Sequence, residues 1–379
     1  MVKDRKSIVF LNQSSGYLMI DIVNAFRDRY DERILLTGFL NPRKTRLDSD
    51  VKVEKLASYN RGSTLRRITT WLFAFLKALY LIKVRYRHSD LFLVSNPPLS
   101  VFIPLFCRNK STFLIYDIYP DTFAEFNLLK RTSMLVKLWE RANAKVFAKA
   151  EQVFTLTQEM KAKLEKYVEP QKIKVVPVWT DNEFLKPIPK EDNPFIREQG
   201  LEGKFVVMYS GNLGKSHPVE VMLELAAEMR HEDVFFLIIG QGDKLESVAD
   251  RIKESHLKNI RLLPWQPTDK LPLTLPAADL AMVALGDEAS DLAIPSKAFS
   301  FMSAGVPLMA ICPSGSTLAT LVSENGLGVS VRREALGQMK EFIMKLMSEE
   351  SLRNRLRENI RLASSRLTEK NAMKFLSYV

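Results

Sequence analysis

The stretch that decides the fold is residues 205–218, which read FVVMYSGNLGKSHP. Its first five residues, Phe205–Tyr209, are typical of a strand, and a helix is predicted from about Pro218. The loop between them carries two glycines, so its backbone amides can approach an anion closely, and the next helix N-terminus favours negative charge there. Lys215 could then neutralise a diphosphate oxygen. The loop lacks Walker A spacing, and a turn with a solvated lysine is the alternative.

Short apolar runs alternate with helical stretches on both sides of this loop, as in parallel sheets with crossover helices. The runs before it are Ser7–Leu11, Arg33–Thr37, Leu91–Ser95, Thr112–Tyr116 and Gln152–Thr157, and those after it are Val234–Ile239, Ile260–Leu263, Leu280–Leu285, Pro307–Ile311 and Gly328–Val331. We therefore predict an α/β protein with two doubly wound, Rossmann-like domains facing each other across a cleft.

The domain boundary is predicted near residues 177–197, which contain four prolines separated by charged residues. A chain of 379 residues suits two domains of ordinary size. We assign residues 1–184 to an N-terminal domain that binds the acceptor and residues 185–365 to a C-terminal domain that binds a nucleotide. Residues 366–379 form a predicted C-terminal helix that could pack back on the N-terminal domain.

The composition is that of an ordinary globular protein, with 46% hydrophobic and 26% charged residues. The two cysteines, Cys107 and Cys312, fall in different predicted domains, so no disulfide framework is expected and a reducing cytoplasm is the default. The N-terminus has no signal-peptide pattern. The four histidines have no metal-ligand spacing, so no metal is expected. No Gly-rich dinucleotide fingerprint follows the first strand, and no other cofactor is expected.

Positive charge is concentrated in the first half of the chain. Residues 1–190 carry 33 lysines and arginines against 19 acids, whereas residues 191–379 carry 22 against 25. A basic half favours an anionic partner, although a solvated basic face is the alternative. Nucleic acid is not expected, because interleaved aromatic residues and a recognisable reading element are missing.

A membrane surface is one candidate for that anionic partner. Residues 71–82 read WLFAFLKALYLI and are flanked on both sides by arginines and lysines. This apolar core is too short to span a bilayer and contains Lys77, but an aromatic helix with basic flanks suits the membrane interface. A core helix with solvated ends explains the pattern equally well.

A second candidate anion site lies at residues 291–307, which read DLAIPSKAFSFMSAGVP. Ser296 is predicted to be the N-cap of a helix that ends at Gly305. The free amides of this N-terminus and the Lys297 side chain could bind an anion, with Ser300 one turn further on the same side. An ordinary capped helix is the alternative.

Two further loops follow predicted strands. The main chain of Leu263, Pro264 and Trp265 could hydrogen-bond the edge of a base, although this signal is weak by itself. Asp117, after the strand Thr112–Tyr116, would lie at the mouth of the cleft, where a general base or an acceptor-orienting carboxylate is needed. A helix-capping aspartate is as good an interpretation.

Together these segments resemble the retaining GT-B glycosyltransferases of family 4, especially the bacterial O-antigen, capsule and colanic-acid branch. The motifs that carry the resemblance, in order, are SNPP at 95–98, DIYPD at 117–121, SGNLGK at 210–215, IIGQG at 238–242, PW at 264–265, AADL at 277–280 and PSK…AGVP at 295–307. They cover nearly the whole chain, and the C-terminal set is the more specific.

The resemblance implies a donor site for a nucleotide-diphosphate sugar, with UDP as the expected nucleotide. Gly211, Asn212 and Lys215 would hold the diphosphate, and residues 263–265 would bind the base. Ser296, Lys297 and Ser300 would face the diphosphate and the sugar. Lys215 and Lys297 would stabilise the leaving group without a metal, and the product would keep the donor's anomeric configuration.

The resemblance also implies an acceptor side in the N-terminal domain. Gly16 and its loop would close on the phosphates from there, and Asn96, Asp117 and Asp121 would face the acceptor. The expected acceptor is a polyprenyl-diphosphate-linked saccharide of lipopolysaccharide or capsule biosynthesis. The enzyme would then lie on the inner face of the cytoplasmic membrane, held at its anionic surface by the basic domain.

The sequence departs from the family at an acidic pair that many relatives carry eight positions apart. The two slots hold Leu292 and Ser300, and Asp291 is adjacent to the first. This leaves two other functions open. A nucleotide-sugar epimerase of the same architecture would need clustered carboxylates, for which Asp117 and the acids at 287, 288 and 291 are the candidates. A relative without catalytic activity would bind nucleotide without turnover.

Overall fold

The computed structural model describes residues 6–60, 64–125, 128–214, 217–286 and 295–378. Contacts divide the chain into two units, one of Met1–Trp179 with Glu369–Val379 and one of Thr180–Thr368. The sequence predicts a boundary between residues 184 and 185, and the structure divides the chain slightly earlier, between Trp179 and Thr180.

The first unit is built on a seven-stranded parallel sheet in the order β5-β3-β1-β6-β7-β8-β9, and β2 pairs separately with β4. Its strands are mostly continuous apolar runs because a parallel sheet is covered on both faces. They are β1 (Ser7–Leu11), β2 (Ser14–Gly16), β3 (Glu32–Thr37), β4 (Phe39–Asn41), β5 (Lys52–Lys55), β6 (Asp90–Val94), β7 (Ser111–Ile115), β8 (Gln152–Thr155) and β9 (Ile173–Val175).

Helices cover both faces of this sheet. They are α1 (Tyr17–Ala25), α2 (Thr64–Val84), α3 (Asp121–Glu125), α4 (Met134–Phe147) and α5 (Gln158–Leu164), with a 3₁₀ helix at Pro98–Leu105. Side chains from α2, the 3₁₀ helix, α4 and α5 share one core with Val9, Leu91 and Phe113. On the opposite face, Phe10 packs against Phe26, just after α1. Neighbouring residues of β1 therefore point to different layers.

The second unit has six parallel strands in the order β12-β11-β10-β13-β14-β15. The chain moves outward from β10 in one direction and then returns to its other side at β13, which makes a switch point where ligands bind at the carboxyl ends of such sheets. The strands are β10 (Phe205–Asn212), β11 (Val234–Gln241), β12 (Ile260–Leu263), β13 (Leu280–Ala284), β14 (Leu308–Ile311) and β15 (Gly328–Val331). The predicted doubly wound α/β architecture is confirmed in each unit.

The helices of the second unit connect these strands and continue beyond them. They are α6 (Pro194–Gln199), α7 (Val221–Glu228), α8 (Leu245–Ser255), α9 (Leu271–Thr274), α10 (Ser296–Ser303), α11 (Thr317–Glu324), α12 (Leu336–Ser348) and α13 (Glu350–Ser365). The sequence places the end of α10 at Gly305, and the structure ends the helix at Ser303, with Ala304 as its C-cap and Gly305 at φ +74°.

The C-terminal segment returns to the first unit, where Glu369–Tyr378 forms a 3₁₀ helix. Phe375 is 1% exposed, and its ring lies 4.7 Å from Phe154 and 5.7 Å from Phe92 between centroids. Trp179, the last residue before the second unit, lies 6.3 Å from the same ring. The indole Nε1 of Trp179 donates to Asp21 of α1 over 2.8 Å. Phe375 therefore anchors the chain end on the face of the sheet that α1 covers.

We predict that Phe375→Ala lowers the free energy of unfolding of the first unit by about 3–5 kcal/mol, because it removes a buried ring and leaves a cavity. Urea unfolding followed by tryptophan fluorescence measures the change. Met373→Ala is the matched control, since Met373 is 53% exposed in the same segment. Equal destabilisation by both variants would contradict the anchoring role.

Candidate functional site

The carboxyl ends of β10 and β11 pack too closely to admit side chains. A Cβ at Gly240 would lie 2.1 Å from the Gly211 carbonyl oxygen, which no other residue could accommodate without moving the strand. Gly211 itself has φ +153°, a conformation that favours glycine. The first predicted anion loop thus begins with exposed backbone at the switch point of the sheet.

Lys297 of α10 lies across this backbone. Its Nζ donates to the Tyr209 hydroxyl oxygen over 2.8 Å and lies 4.1 Å from the centroid of the Tyr209 ring. A Cβ placed on Gly211 would lie 3.2 Å from the same Nζ. The Tyr209 hydroxyl in turn donates to the Asn212 carbonyl over 2.7 Å. The structure therefore joins two segments, β10 and α10, that the sequence offers as separate candidates.

The environment of Lys297 disfavours its charge when no anion is present. Burial lowers the pKa of Lys297 to about 7. Burial, with a contribution from Glu220, also raises the pKa of the Tyr209 hydroxyl, so Tyr209 stays neutral and serves as a hydrogen-bonding partner. A bound phosphate oxygen would supply the negative charge that the ammonium group lacks here.

His217 and Lys244 lie at the far end of the loop. Burial, followed by the charges of Lys297 and Lys244, lowers the pKa of His217 to about 4, so its imidazole is neutral at pH 7. The Nζ of Lys244 donates to the His217 carbonyl over 2.8 Å and pairs with Glu220 at 2.9 Å. Lys244 therefore holds the far end of the loop in place through its backbone.

The Asn212 side chain is confined by two glycines. A Cβ at Gly214 would lie 2.8 Å from Asn212 Nδ2, and one at Gly242 would lie 2.7 Å from Asn212 Oδ1. Gly242 also has φ +147°. The Asn212 carboxamide therefore occupies space that is free only because residues 214 and 242 are glycines. Asn212 directly follows Gly211, which Lys297 contacts.

The N-terminus of α10 differs from its prediction. The sequence predicts Ser296 as the N-cap, but the helix starts at Ser296 and Pro295 holds the cap position without a side-chain cap hydrogen bond. The fixed φ of proline suits a helix start. Pro295 therefore takes the N-cap position, and Ser296 becomes the first residue of the helix. Ser296 is exposed and Ser300 is partly buried one turn later. The Ala298 amide donates to the Pro295 carbonyl at 3.0 Å, and no side chain at the cap position engages the amides of Ser296 and Lys297.

The loop after β12 leaves the same edge of the sheet. Leu263 pairs with Ile239 at the end of β11, and Trp265 is 47% exposed. The Gln266 side chain donates to the Pro264 carbonyl over 2.9 Å, which turns the loop back on itself. Leu263, Pro264 and Trp265 thus lie two strands from β10, at the carboxyl edge.

In the first unit, Asn96 and Asp117 follow the neighbouring strands β6 and β7. The Ser95 hydroxyl accepts from the Tyr116 amide at 2.9 Å and the Asp117 amide at 3.2 Å, which ties the two strand ends together. Burial raises the pKa of Asp117 to about 6, although a hydrogen bond with Tyr119 acts in the opposite direction. Asp117 can therefore exchange a proton near neutral pH.

Asp121 and Gly16 have different surroundings. The Asp121 carboxylate pairs with Lys166 and accepts from the Tyr167 hydroxyl at 2.7 Å, so it holds α3 against the rest of the unit. Gly16 ends β2 and caps α1, and a Cβ there would meet no atom within 4 Å. Gly16 is therefore not required for packing and leaves the N-terminus of α1 open.

Several predicted positions lie outside the described residues. They are Lys215 in the first anion loop and residues 287–294, which include Asp287, Glu288, Asp291 and the acidic slot at Leu292. The second acidic slot, Ser300, is described, and it lies in α10.

Comparison with known proteins identifies the class of enzyme. Residues 192–363 match the family described as glycosyl transferases group 1. WbjE of Pseudomonas aeruginosa, named as a glycosyltransferase, is 26% identical over 325 residues, 83% of this chain and 81% of that protein. This protein is a glycosyltransferase with a group 1 domain.

Other relatives agree with that assignment. WcaI of Escherichia coli strain K12, named as a colanic acid biosynthesis glycosyl transferase, is 28% identical over 156 residues, 40% of this chain and 38% of that protein. Anabaena HepE, solved with UDP-glucose, has a TM-score of 0.71 at 16% identity over 98% of both chains. WaaG, a glycosyltransferase involved in lipopolysaccharide biosynthesis, has a TM-score of 0.67 at 16% identity over 96% of this chain and 98% of that one. The solved structures support the GT-B fold of the glycosyltransferase.

Sequence reasoning missed Tyr209 and Lys244 in the glycosyltransferase. Tyr209 reads as the last residue of an apolar strand, and nothing in the sequence shows that Lys297 contacts it. Lys244 carries a weak signal, since it lies three residues after Gln241, the last residue of the glycine-containing strand β11. Both act through contacts between segments that are distant in the sequence.

We predict that Lys297 titrates near pH 7 in the free glycosyltransferase, because burial disfavours its ammonium form. NMR of ¹³C-methylated lysines measures the midpoint, and Lys297→Arg assigns the resonance. Inorganic pyrophosphate should raise the pKa by stabilising the charged form. A midpoint near the usual lysine value of about 10.4 would contradict the described environment.

Proposed function

We propose that this glycosyltransferase moves a sugar from a UDP-sugar to a saccharide acceptor, with retention of anomeric configuration, during surface polysaccharide biosynthesis. The observation that supports it best is the Lys297 ammonium group, which contacts Tyr209 and lies over Gly211 at the start of α10. The name of WcaI refers to colanic acid biosynthesis, and HepE was solved with UDP-glucose. These names favour the polysaccharide setting and the UDP donor.

The donor diphosphate would occupy the space between the β10 loop and α10. The amides of Ser296 and Lys297 at the start of α10, the Lys297 side chain and the backbone at Gly211 and Asn212 would offer hydrogen bonds of the kind that phosphates accept. The base would lie against the loop of Leu263, Pro264 and Trp265, two strands away. Because Trp265 is 47% exposed, its ring has surface available for stacking.

Lys297 would contribute to catalysis and not only to binding. As the sugar–oxygen bond breaks, negative charge grows on the departing diphosphate, and a partly buried ammonium group stabilises that charge more strongly than water does. Lys215 would act on the same oxygens. We propose that these cations and the α10 dipole replace a metal, so that no cofactor is needed. Ser300 offers only a hydroxyl where many relatives place an acid, which removes one charged contact to the ribose.

On the acceptor side, Asp117 would orient the incoming hydroxyl or take its proton, with Asn96 and the loop at Gly16 beside it. Asp117 suits this role because its pKa of about 6 allows both protonation states near neutral pH. Asp121 is less suited, because Lys166 and Tyr167 already engage its carboxylate.

The proposed acceptor is a polyprenyl-diphosphate-linked saccharide, which would place the enzyme peripherally at the inner face of the cytoplasmic membrane. The basic first half of the chain supports this location through attraction to anionic lipids. Within the described segments, no helix has the length and apolar content needed to cross a bilayer.

We predict that Lys297→Ala and Lys215→Ala each lower kcat for transfer by about 10²–10³-fold, because each removes a cation from the developing diphosphate charge. Purified enzyme with isotope-labelled UDP-sugars and a polyprenyl-diphosphate sugar provides the assay. Lys253→Ala, an exposed lysine of α8, is the control and should match the wild type.

The proposal fails if folded enzyme transfers no sugar from any common donor, or if both lysine variants retain wild-type rates. Product formed from a UDP-sugar without acceptor would indicate epimerisation in place of transfer. A thermal-shift comparison of UDP with GDP tests the donor separately, since a ligand that binds only the folded state raises the unfolding temperature.

We predict a bell-shaped pH profile of kcat/KM with a maximum between the pKa values of Asp117, about 6, and Lys297, about 7. Activity should rise with pH as the raised Asp117 pKa is passed and the carboxylate forms. It should fall as the lowered Lys297 pKa is passed and the ammonium is lost. Asp117→Asn should remove the rising limb, whereas Asp121→Asn should retain it. An unchanged rising limb in Asp117→Asn would exclude Asp117 as the titrating group.

A further inference from the structure

Exposed large apolar side chains are concentrated in the first unit. Among the described residues, the second unit exposes only Trp265, Met344 and Leu362 in this way. In the first unit the largest group lies on α2 and consists of Leu65, Ile68, Leu72, Phe73, Leu76, Tyr80 and Val84. A contiguous exposed apolar surface of this size on a globular protein indicates an interaction site.

These residues form one stripe along α2, because they recur at spacings of three and four. The side of the helix that faces the core is formed by Ala74, Ala78, Leu81 and Ile82, all at most 4% exposed. Two of these four side chains are only methyl groups. The exposed stripe, in contrast, includes Phe73 at 64% and Tyr80 at 61% exposure. Phe75 and Leu79 are partly buried against the same core, whereas the core of the unit leaves the side chains of the stripe uncovered.

The charges of α2 are all of one sign. The helix contains no acidic residue, and the sequence has none between Glu54 and Asp90. Lys77 and Lys83 are exposed among the apolar side chains of the stripe. Long lysine side chains can place their methylene groups in an apolar phase and their ammonium groups at a polar surface.

A basic cavity of about 530 Å³ lies at the C-terminal end of α2. Its wall carries the cations Lys83, Arg87, Arg108 and Lys110, and none of them forms an ion pair with a carboxylate in the described part of the chain. Asp90 is the acidic residue of the wall, and it accepts from the Tyr30 hydroxyl at 2.8 Å. Such a cluster suits a phosphate group.

Phe106 connects the cavity to the stripe. It lines the cavity, is 51% exposed, and its ring lies 6.3 Å from Phe75 of α2 between centroids. The 3₁₀ helix Pro98–Leu105 precedes it and packs against both α2 and α4. The first turns of α4 add exposed Met134 and Leu135 to the same helical layer. The apolar surface and the basic cavity thus adjoin each other.

We propose that this surface, the exposed stripe of α2 with the adjoining cavity, docks on an anionic lipid bilayer, and that the cavity takes a lipid phosphate headgroup. Apolar side chains interleaved with lysines, without any acid, match the interface of an anionic membrane. The inference rests on the membrane location proposed above and is independent of the transfer reaction.

The direction of α2 links docking to the acceptor side. A helix of 21 residues is about 30 Å long, and α2 crosses from the carboxyl edge of the sheet, after β5, to the amino edge, before β6. Asn96 and Asp117 follow the carboxyl ends of β6 and β7. With α2 lying along the bilayer, the carboxyl edge stays near the membrane surface, where a lipid-linked acceptor would be presented.

The test is co-sedimentation of the full chain with vesicles of phosphatidylcholine alone or with 30 mol% phosphatidylglycerol. We expect at least tenfold tighter binding to the anionic vesicles. The stripe variant Leu72→Ser/Phe73→Ser/Leu76→Ser and the cavity variant Lys83→Ala/Arg108→Ala/Lys110→Ala should each weaken it at least tenfold. The matched controls Met344→Ser/Leu362→Ser and Lys253→Ala/Lys258→Ala, on exposed positions of the second unit, should bind as the wild type does.

Three results would overturn the inference. They are vesicle binding that is unchanged in both variants, a dimer that the stripe variant converts to a monomer in sedimentation, and binding of inorganic phosphate at the cavity without vesicle binding. Transfer to a short water-soluble acceptor separates this inference from the proposed function. The stripe and cavity variants should retain wild-type transfer in that assay, which also shows that they are folded.

Discussion

The site depends on how closely the backbone of β10 can be approached. At Gly211 a side chain would meet Lys297 Nζ at 3.2 Å, and at Gly240 it would meet the Gly211 carbonyl at 2.1 Å. Two adjacent positions without side chains therefore let α10 place its lysine over the strand end. The order of the sheet makes this possible, because β13, which precedes α10, pairs with β10 although β11 and β12 lie between them in the sequence. Two segments that are distant in the sequence, β10 and α10, form one site because both lie at the carboxyl edge of the sheet.

Holding a lysine at this position has an energetic cost. Burial disfavours the ammonium form, and the Tyr209 hydroxyl offers a hydrogen bond but no charge. A carboxylate beside Lys297 would stabilise the free protein but would compete with a diphosphate for the same cation. The arrangement instead leaves a group whose charge is stabilised best when an anion is bound, which is how binding energy can be directed to a developing charge. Burial, followed by the charges of Lys297 and Lys244, likewise lowers the pKa of His217.

The sequence predicted the architecture well, because buried parallel strands are continuous apolar runs bounded by turn residues. It missed β5, whose residues KVEK are polar since the strand lies at the sheet edge. Within the site it predicted Lys297 and the glycine loop but not the Lys297–Tyr209 contact, which depends on packing between segments 88 residues apart. The N-cap was wrong by one residue because Pro295 takes that position. Side-chain partners depend on tertiary structure, which local patterns do not encode.

The helix α2 is a second case in which the sequence alone leaves two interpretations open. An apolar helix with basic flanks fits a core and a membrane surface equally well while only its sequence is known. In the structure one side of α2 belongs to the core, with Ala74 and Ala78 buried, while Phe73 and Tyr80 on the other side are exposed. A helix that served only the core would gain by burying its larger side chains, since buried apolar area is what stabilises a fold. Here the apolar side chains of the stripe are exposed to water, where they contribute no burial energy and favour aggregation. The membrane docking proposed above would cover the stripe with such a phase, and the lysines within it suit an anionic bilayer.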